Sequence, residues 1–216
     1  MLMSKTIYIF SGMGADERVF ERLDFAGRPL VFIQWVRPHS TDTLTTYSGR
    51  LMEQILEQKP ILVGLSLGGM LAVEVAKQIE TERIILLASA KTRKGIPPLY
   101  KLLGKFGFDR ILPFSLFKRA DALLSWLFGA QSQYEKELLH RIMLDTDPDF
   151  VRWAIRAVLH WDNLEIPKNL THLHGTKDLV LPLRYADCDI TISGGGHFMT
   201  MNKADEINQI LPKLLG

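Results

Sequence analysis

The sequence predicts an α/β protein with a mostly parallel central sheet of about six strands flanked by helices. Three observations carry this. Short runs rich in Ile, Leu and Val alternate with helical patterns over the first ninety residues. These runs are apolar on both faces, as in strands covered by helices on each side, rather than alternating as in a half-exposed antiparallel sheet. The strand signal then disappears after residue 90 and returns near residue 170, so the sheet is interrupted by an insertion and completed late.

In chain order, the strands are expected at Thr6 to Phe10, Pro29 to Trp35, Pro60 to Leu65, Arg83 to Ala88, Leu170 to His174 and Asp189 to Ile192. Between the second and third, Leu44, Tyr47, Leu51 and Ile55 recur at helical spacing, predicting a helix from Thr43 to Gln58 with Asp42 as N-cap. Leu67 to Ile79 follows the third strand directly as a helix. From Lys91 to about Pro167, Leu, Phe and Trp mark helices around Pro98 to Phe106, Ser115 to Leu127, Tyr134 to Leu144 and Asp149 to Trp161. A last helix is expected from Lys203 to Leu214. No repeat or flexible linker separates these segments. Residues 1–90 and 168–216 therefore read as one core, and 91–167 as a helical cap inserted in it, within a single structural domain.

Composition removes several function classes. With 47% hydrophobic and 23% charged residues, the chain sits at the average of globular proteins. The formal net charge of +2 supplies no general attraction for nucleic acid. Cys188 is the single cysteine, which excludes an internal disulfide and suits a reducing compartment, so a cytoplasmic location is expected. The N-terminal apolar run is too brief for a signal peptide, and no uncharged stretch reaches the roughly 18 apolar residues of a membrane span.

The residues that point to chemistry begin with Gly64-Leu65-Ser66-Leu67-Gly68, which ends a predicted strand and opens a predicted helix. A serine on so sharp a turn needs small neighbours two positions either side, because strand and helix backbones nearly touch there. The turn exposes the Ser66 hydroxyl and brings the first helical amide, Leu67 N–H, beside any oxyanion formed on it. A serine hydroxyl needs a base, most often a histidine held by a carboxylate. His197 follows Gly194-Gly195-Gly196 just past the last predicted strand, and Asp178 lies a few residues beyond the preceding one. Asp187 and Asp189 are rival acids, weaker by position, and His174 reads as a turn residue rather than the base. Competing motifs are incomplete. Gly12-Met13-Gly14 begins like a dinucleotide fingerprint but has Glu17 where the third glycine belongs. The Gly64 to Gly69 loop lacks the Lys and Ser/Thr of a phosphate-binding loop, and no histidine pair has HExxH spacing. Neither cofactor nor metal is expected.

With Ser66, Asp178 and His197 in this order, the sequence resembles the α/β-hydrolase-fold serine hydrolases, of the small, capped, esterase-like kind. The resemblance covers nearly the whole chain and rests on the turn at Ser66, the HGTKD segment ending at Asp178, and the GGGHF segment containing His197. It implies a second oxyanion donor from the loop after the first core strand, which by position is Met13 N–H. It also implies a sheet trimmed to six strands, because the chain starts almost at the strand that carries this loop. Ser11 and Leu65 stand where many relatives carry histidine, which bears on the substrate rather than the reaction. The implied activity is hydrolysis of a carboxylic ester of a small or medium apolar acyl or aryl group. Acyl thioester hydrolysis, another cofactor-free reaction of the fold (carbon–carbon hydrolysis or a lyase), and ligand binding without turnover are the alternatives.

Trp35, Trp126, Trp153 and Phe198 are the candidates for contact with such a substrate, although bulky aromatics serve equally as core. Between Lys91 and Arg119, eight basic residues interleave with Leu and Phe against the single acid Asp109. The plain reading is a cap with an apolar inner face and a solvated basic outer one. The sharper readings are contact with an anionic membrane surface or attraction of an acidic thioester substrate.

Overall fold

The computed structural model describes residues 5–105 and 121–216, the side chains of 103–105 excepted. Six strands, β1 (Ile7–Phe10), β2 (Leu30–Phe32), β3 (Ile61–Leu65), β4 (Arg83–Leu87), β5 (Leu170–Gly175) and β6 (Ile190–Ile192), form one sheet in the order β2-β1-β3-β4-β5-β6. Every neighbouring pair is parallel, as the doubly apolar strand pattern requires. The nine helices among the described residues are α1 (Leu44–Leu51), α2 (Leu67–Ala76), α3 (Pro98–Lys105), α4 (Asp121–Phe128), α5 (Gln133–Asp145), α6 (Pro148–Leu159), α7 (Met199–Asn202), α8 (Ala204–Asn208) and α9 (Leu211–Leu215).

Successive strand residues feed two separate cores. Ile7, Ile9, Val63, Ile85 and Leu173 join Leu138 and Ile142 of α5 and Ile207 and Leu211 of the C-terminal helices. Tyr8, Phe10, Leu62, Ile84 and Leu86 join Tyr47 of α1, Leu71 of α2 and Trp153 of α6. The helices between β4 and β5 are thus divided between the two clusters. At about 1.5–3 kcal/mol for each fully buried aliphatic side chain, these two faces are the main stabilising term.

Local physics moves several boundaries. β2 stops at Phe32 and leaves Leu30 and Val31 partly exposed, because it is an edge strand whose only neighbour, β1, ends at Phe10. The N-cap of α1 is Thr43, whose side chain exchanges hydrogen bonds with Thr46. The expected cap, Asp42, instead accepts from His39 N–H, Thr46 and Arg50. α1 tightens at Met52–Gln54 and ends well before Gln58, since the chain must turn extended before Pro60 to enter β3. The expected helix of 203–214 is two short ones, α8 and α9, broken before Pro212, which has no N–H to continue α8, while α7 precedes that range and is set off from α8 by Lys203 at φ −130°. The part of the expected 115–127 helix before Asp121, and Phe106, lie outside the described residues.

One sequence expectation about charge is also refined. Lys91 is not on a solvated face: it is 8% exposed and its Nζ lies 2.9 Å from Asp189 Oδ1. Arg110, Lys118 and Arg119 lie outside the described residues. Among the described residues, no helix is long and apolar enough to cross a membrane.

Candidate active site

The site gathers where β3, β5 and β6 end. Ser66 stands between β3 and α2 at φ 52°, ψ −120°, a backbone conformation that costs a non-glycine residue about 1–3 kcal/mol. The surroundings hold it there: Ser66 N–H donates to Leu87 O at 3.0 Å, and its carbonyl accepts from Ser89 Oγ at 2.6 Å and Gly69 N at 3.0 Å. The flanking glycines are required by close approach. A methyl on Gly64 would lie 2.5 Å from Gly69 Cα, and one on Gly68 would lie 2.1 Å from Phe10 O and 2.2 Å from Ser11 O. Because both obstacles at Gly68 are backbone of β1 and its loop, Gly68→Ala is expected to destabilise the protein by about 3 kcal/mol or more, or to prevent folding. Urea unfolding checks this, and a variant within about 1 kcal/mol of the parent contradicts it.

His197 lies on the glycine loop after β6, which packs so tightly on the end of β5 that a methyl on Gly175 would meet Gly195 O at 2.3 Å. Its ring is 4% exposed and bridges two partners. Nδ1 lies 2.8 Å from Asp178 Oδ2, and Nε2 lies 2.8 Å from Ser66 Oγ. The carboxylate can only accept, so Nδ1 carries the proton and Nε2 presents its lone pair to the serine hydroxyl. Asp178 Oδ1 accepts from Val180 N at 2.9 Å and Leu181 N at 2.8 Å. Burial raises the Asp178 carboxyl, but the neighbouring His197 and the hydrogen bonds from His197 and Leu181 outweigh it and hold the group below its ordinary value. Of the rival acids, Asp189 is occupied by Lys91 and by His172 N–H, and Asp187 has no hydrogen bond to His197.

His174 is not in a turn. It is the fifth residue of β5, fully buried, and stands with His172 behind Asp178. Sequence reasoning missed His172; the alternation His172, Leu173, His174 in a buried strand was the available signal. Burial, and next the adjacent His174, push the His172 imidazole from its ordinary 6.5 down to about 3. The unfolded chain binds a proton below about 6.5 that the folded chain refuses, so this histidine's contribution is complete above that pH and is lost as pH falls toward 3. His174 is lowered in the same direction, again chiefly by burial. The free energy of unfolding in urea is therefore expected to fall between pH 6.5 and 4.5, by up to about 1.4 kcal/mol per pH unit for each such histidine. His172→Gln should make that slope shallower, and an unchanged slope would sink the assignment.

The loop after β1 lies against the serine turn, with the Cβ direction of Gly12 pointing at Ser66 Cβ 3.6 Å away. It is tied down from the far side by the end of α5. Thr146 Oγ1, whose proton goes to Ile142 O at 2.6 Å, lies 3.2 Å from Gly14 O, and Arg18 spans Asp16 and Asp145 at 2.7 Å each. Gly14, at φ 71°, has no room for a side chain against Thr146. Among the described residues, neither Met13 N–H nor Leu67 N–H has an acceptor, and Leu67 is the first residue of α2, where an amide has no partner within the helix. Leu67 directly follows Ser66, and Met13 directly follows Gly12 in the loop that lies against it.

The four aromatic candidates separate. Trp35 is half-buried and stacks on Phe150 at 5.7 Å between ring centroids. Trp153 is core, 4.2 Å from the Tyr47 ring, with its N–H donated to Asp42 O. Trp126 is 64% exposed, and Phe198 is buried beneath His197 in the first core cluster. Among the described residues, the aromatic in ring contact with the site is Phe128, missed in the sequence, whose ring meets the His197 imidazole edge-on at 5.4 Å and whose carbonyl accepts from Phe198 N–H.

A hydroxyl, an imidazole and a carboxylate in hydrogen-bonded series can activate an oxygen nucleophile. The sequence model of the alpha/beta hydrolase family matches residues 9–210. The chain belongs to this family. It is an enzyme of the hydrolase class by that membership, with a small molecule as the expected kind of substrate. Among solved structures of α/β hydrolase architecture, it is similar to a hydrolase from Pseudomonas aeruginosa PA01, with a TM-score of 0.74, 14% identity and coverage of 100% of this chain and 91% of that one. It is also similar to the enol-lactonase from Burkholderia xenovorans LB400, with a TM-score of 0.69, 16% identity and coverage of 98% and 91%. A thermophilic esterase from Thermogutta terrifontis matches with a TM-score of 0.69, 16% identity and coverage of 98% and 89%. No curated protein matches the sequence.

Proposed function

We propose that the protein is a serine hydrolase that cleaves a carboxylic ester of a small or medium apolar acyl or aryl substrate. The observation that carries this reading is the unbroken series from Ser66 Oγ through His197 to Asp178, each step 2.8 Å. Ser66 Oγ attacks the ester carbonyl while His197 Nε2 takes its proton. The tetrahedral oxyanion is held by Met13 and Leu67 N–H. His197 then returns the proton to the departing alkoxide, and Asp178 steadies the imidazolium in between. Water, deprotonated by the same nitrogen, releases the acid and restores Ser66. Two of the similar structures, an enol-lactonase and an esterase, act on ester bonds by their names, which supports an ester as the first class to test.

The helices between β4 and β5 serve in this reading as a cap. Phe128 against His197, and the Thr146 and Asp145 contacts to the loop after β1, support it by bringing that segment to the site's edge. The lone Cys188 fits a cytoplasmic setting.

The test is reaction of the purified protein with a fluorophosphonate probe, location of the adduct by mass spectrometry, and turnover of aryl esters and acyl thioesters of graded chain length. Labelling at Ser66 with faster turnover of esters is the expected result. Faster turnover of thioesters would reassign the substrate class, and an unlabelled, folded protein would overturn the hydrolase reading.

A further inference from the structure

Asp178 does not orient His197 unaided, and the groups behind it form a second layer that the proposed reaction does not otherwise use. Its Oδ1 is fixed by two consecutive amides, Val180 N–H and Leu181 N–H. Each of these residues is held in turn by its carbonyl. Tyr100 OH donates to Val180 O at 3.1 Å, and His174 Nε2 lies 2.7 Å from Leu181 O. A carbonyl can only accept, so His174 Nε2 carries a proton. That same N–H sits 3.6 Å from Asp178 Oδ2, too far for a hydrogen bond but close enough to act on the carboxylate as a fixed dipole in a dry interior. The ring of His174 is set by its other nitrogen. Nδ1 lies 3.1 Å from His172 Nε2, which also receives Ser89 N–H at 3.4 Å. Both rings are fully buried.

Resting on the hydrolase reading above, we propose that His174, aligned by His172, is a positioning residue that fixes the direction of the Asp178 carboxylate and through it the tilt of His197 toward Ser66. A buried histidine pair has no place in a merely apolar strand: two polar rings placed in the core cost free energy unless their hydrogen bonds serve something. What they hold is the 178–181 turn. Loss of the Nε2–H leaves Leu181 O unpaired and frees the turn that carries the acid, while the residues that contact a substrate remain untouched.

The experiment uses the full chain with His174→Leu, His174→Asn and His174→Gln, and reads the second-order rate of Ser66 modification by a fluorophosphonate together with kcat and KM on the preferred ester. A Gln amide nitrogen reaches the place of Nε2, whereas an Asn amide stops near Nδ1. His174→Leu and His174→Asn are expected to slow modification and kcat by about 10-fold to 100-fold with KM changed less than about 2-fold. His174→Gln should recover to within about 5-fold of the parent. If the Leu variant fails to fold, the comparison of Asn with Gln carries the test. A folded Leu or Asn variant that reacts at the parental rate, a Gln variant as slow as Asn, or a loss confined to KM overturns this proposal alone. Failure of the unaltered chain to react overturns the hydrolase reading, and this proposal with it.

Discussion

Ser66→Ala is expected to abolish probe labelling and to lower ester turnover by about a million-fold, to the level that binding and two backbone amides provide without a nucleophile. The protein should remain folded. Alanine keeps the Cβ and inherits the backbone conformation at φ 52°, so the strain of the turn is retained and only the Oγ contact with His197 is lost. Ser66→Gly should be equally inactive but more stable by about 1 kcal/mol, because glycine adopts this conformation without steric cost. Turnover in either variant above about one thousandth of the parental rate would remove Ser66 from the chemistry. An inactive Ser66→Gly no more stable than Ser66→Ala would mean that the turn is not strained.

Asp178→Asn should cost about ten-thousand-fold in kcat while changing the structure little. The two backbone amides on Oδ1 decide why. They require an acceptor at that position, so the carbonyl oxygen of Asn must take it and the NH2 group must face His197 Nδ1. A donor there forces Nδ1 to present its lone pair and moves the imidazole proton to Nε2, where Ser66 needs an acceptor. The base is then present in the wrong tautomer. The loss should ease at high pH only if hydroxide replaces the base in deprotonating Ser66, and a variant within about 100-fold of the parent at neutral pH would contradict the arrangement.

The sheet was legible in the sequence because parallel strands covered on both faces carry Ile, Leu and Val without alternation. The rule failed at Leu30 and Val31, since an edge position is a property of the assembled sheet rather than of the strand. Ser66, Asp178 and His197 were legible because each sits in a local pattern, a glycine-flanked turn or a loop just past a strand, that can be recognised without knowing the fold. Phe128 had no such pattern, and His172 only its alternation with Leu173 and His174 in a buried strand. Phe128 belongs to the site only because Gly129 packs against Gly196, where an added Cβ would be 3.2 Å from the opposite Cα. His174 looked like turn material because His-Gly commonly ends a strand, yet β5 continues through both residues. The C-terminal segment reads as one helix because apolar spacing persists from Lys203 to Leu214, whereas the backbone breaks after Asn208 and resumes in α9, near whose start Pro212 needs no N–H partner.

The hydrogen bond joining Ser66 to His197 spans 131 positions of the chain. At ribosomal speeds of about 5–20 residues per second, the serine is polymerised roughly 7 to 26 seconds before the imidazole that makes it reactive. During that interval the hydroxyl is an ordinary alcohol, whatever esters surround it. Under the proposed mechanism, reactivity requires β6 on β5 and the glycine turn that carries His197, the last parts of the sheet to be made. Hydrolysis by that mechanism can begin only with a nearly finished sheet.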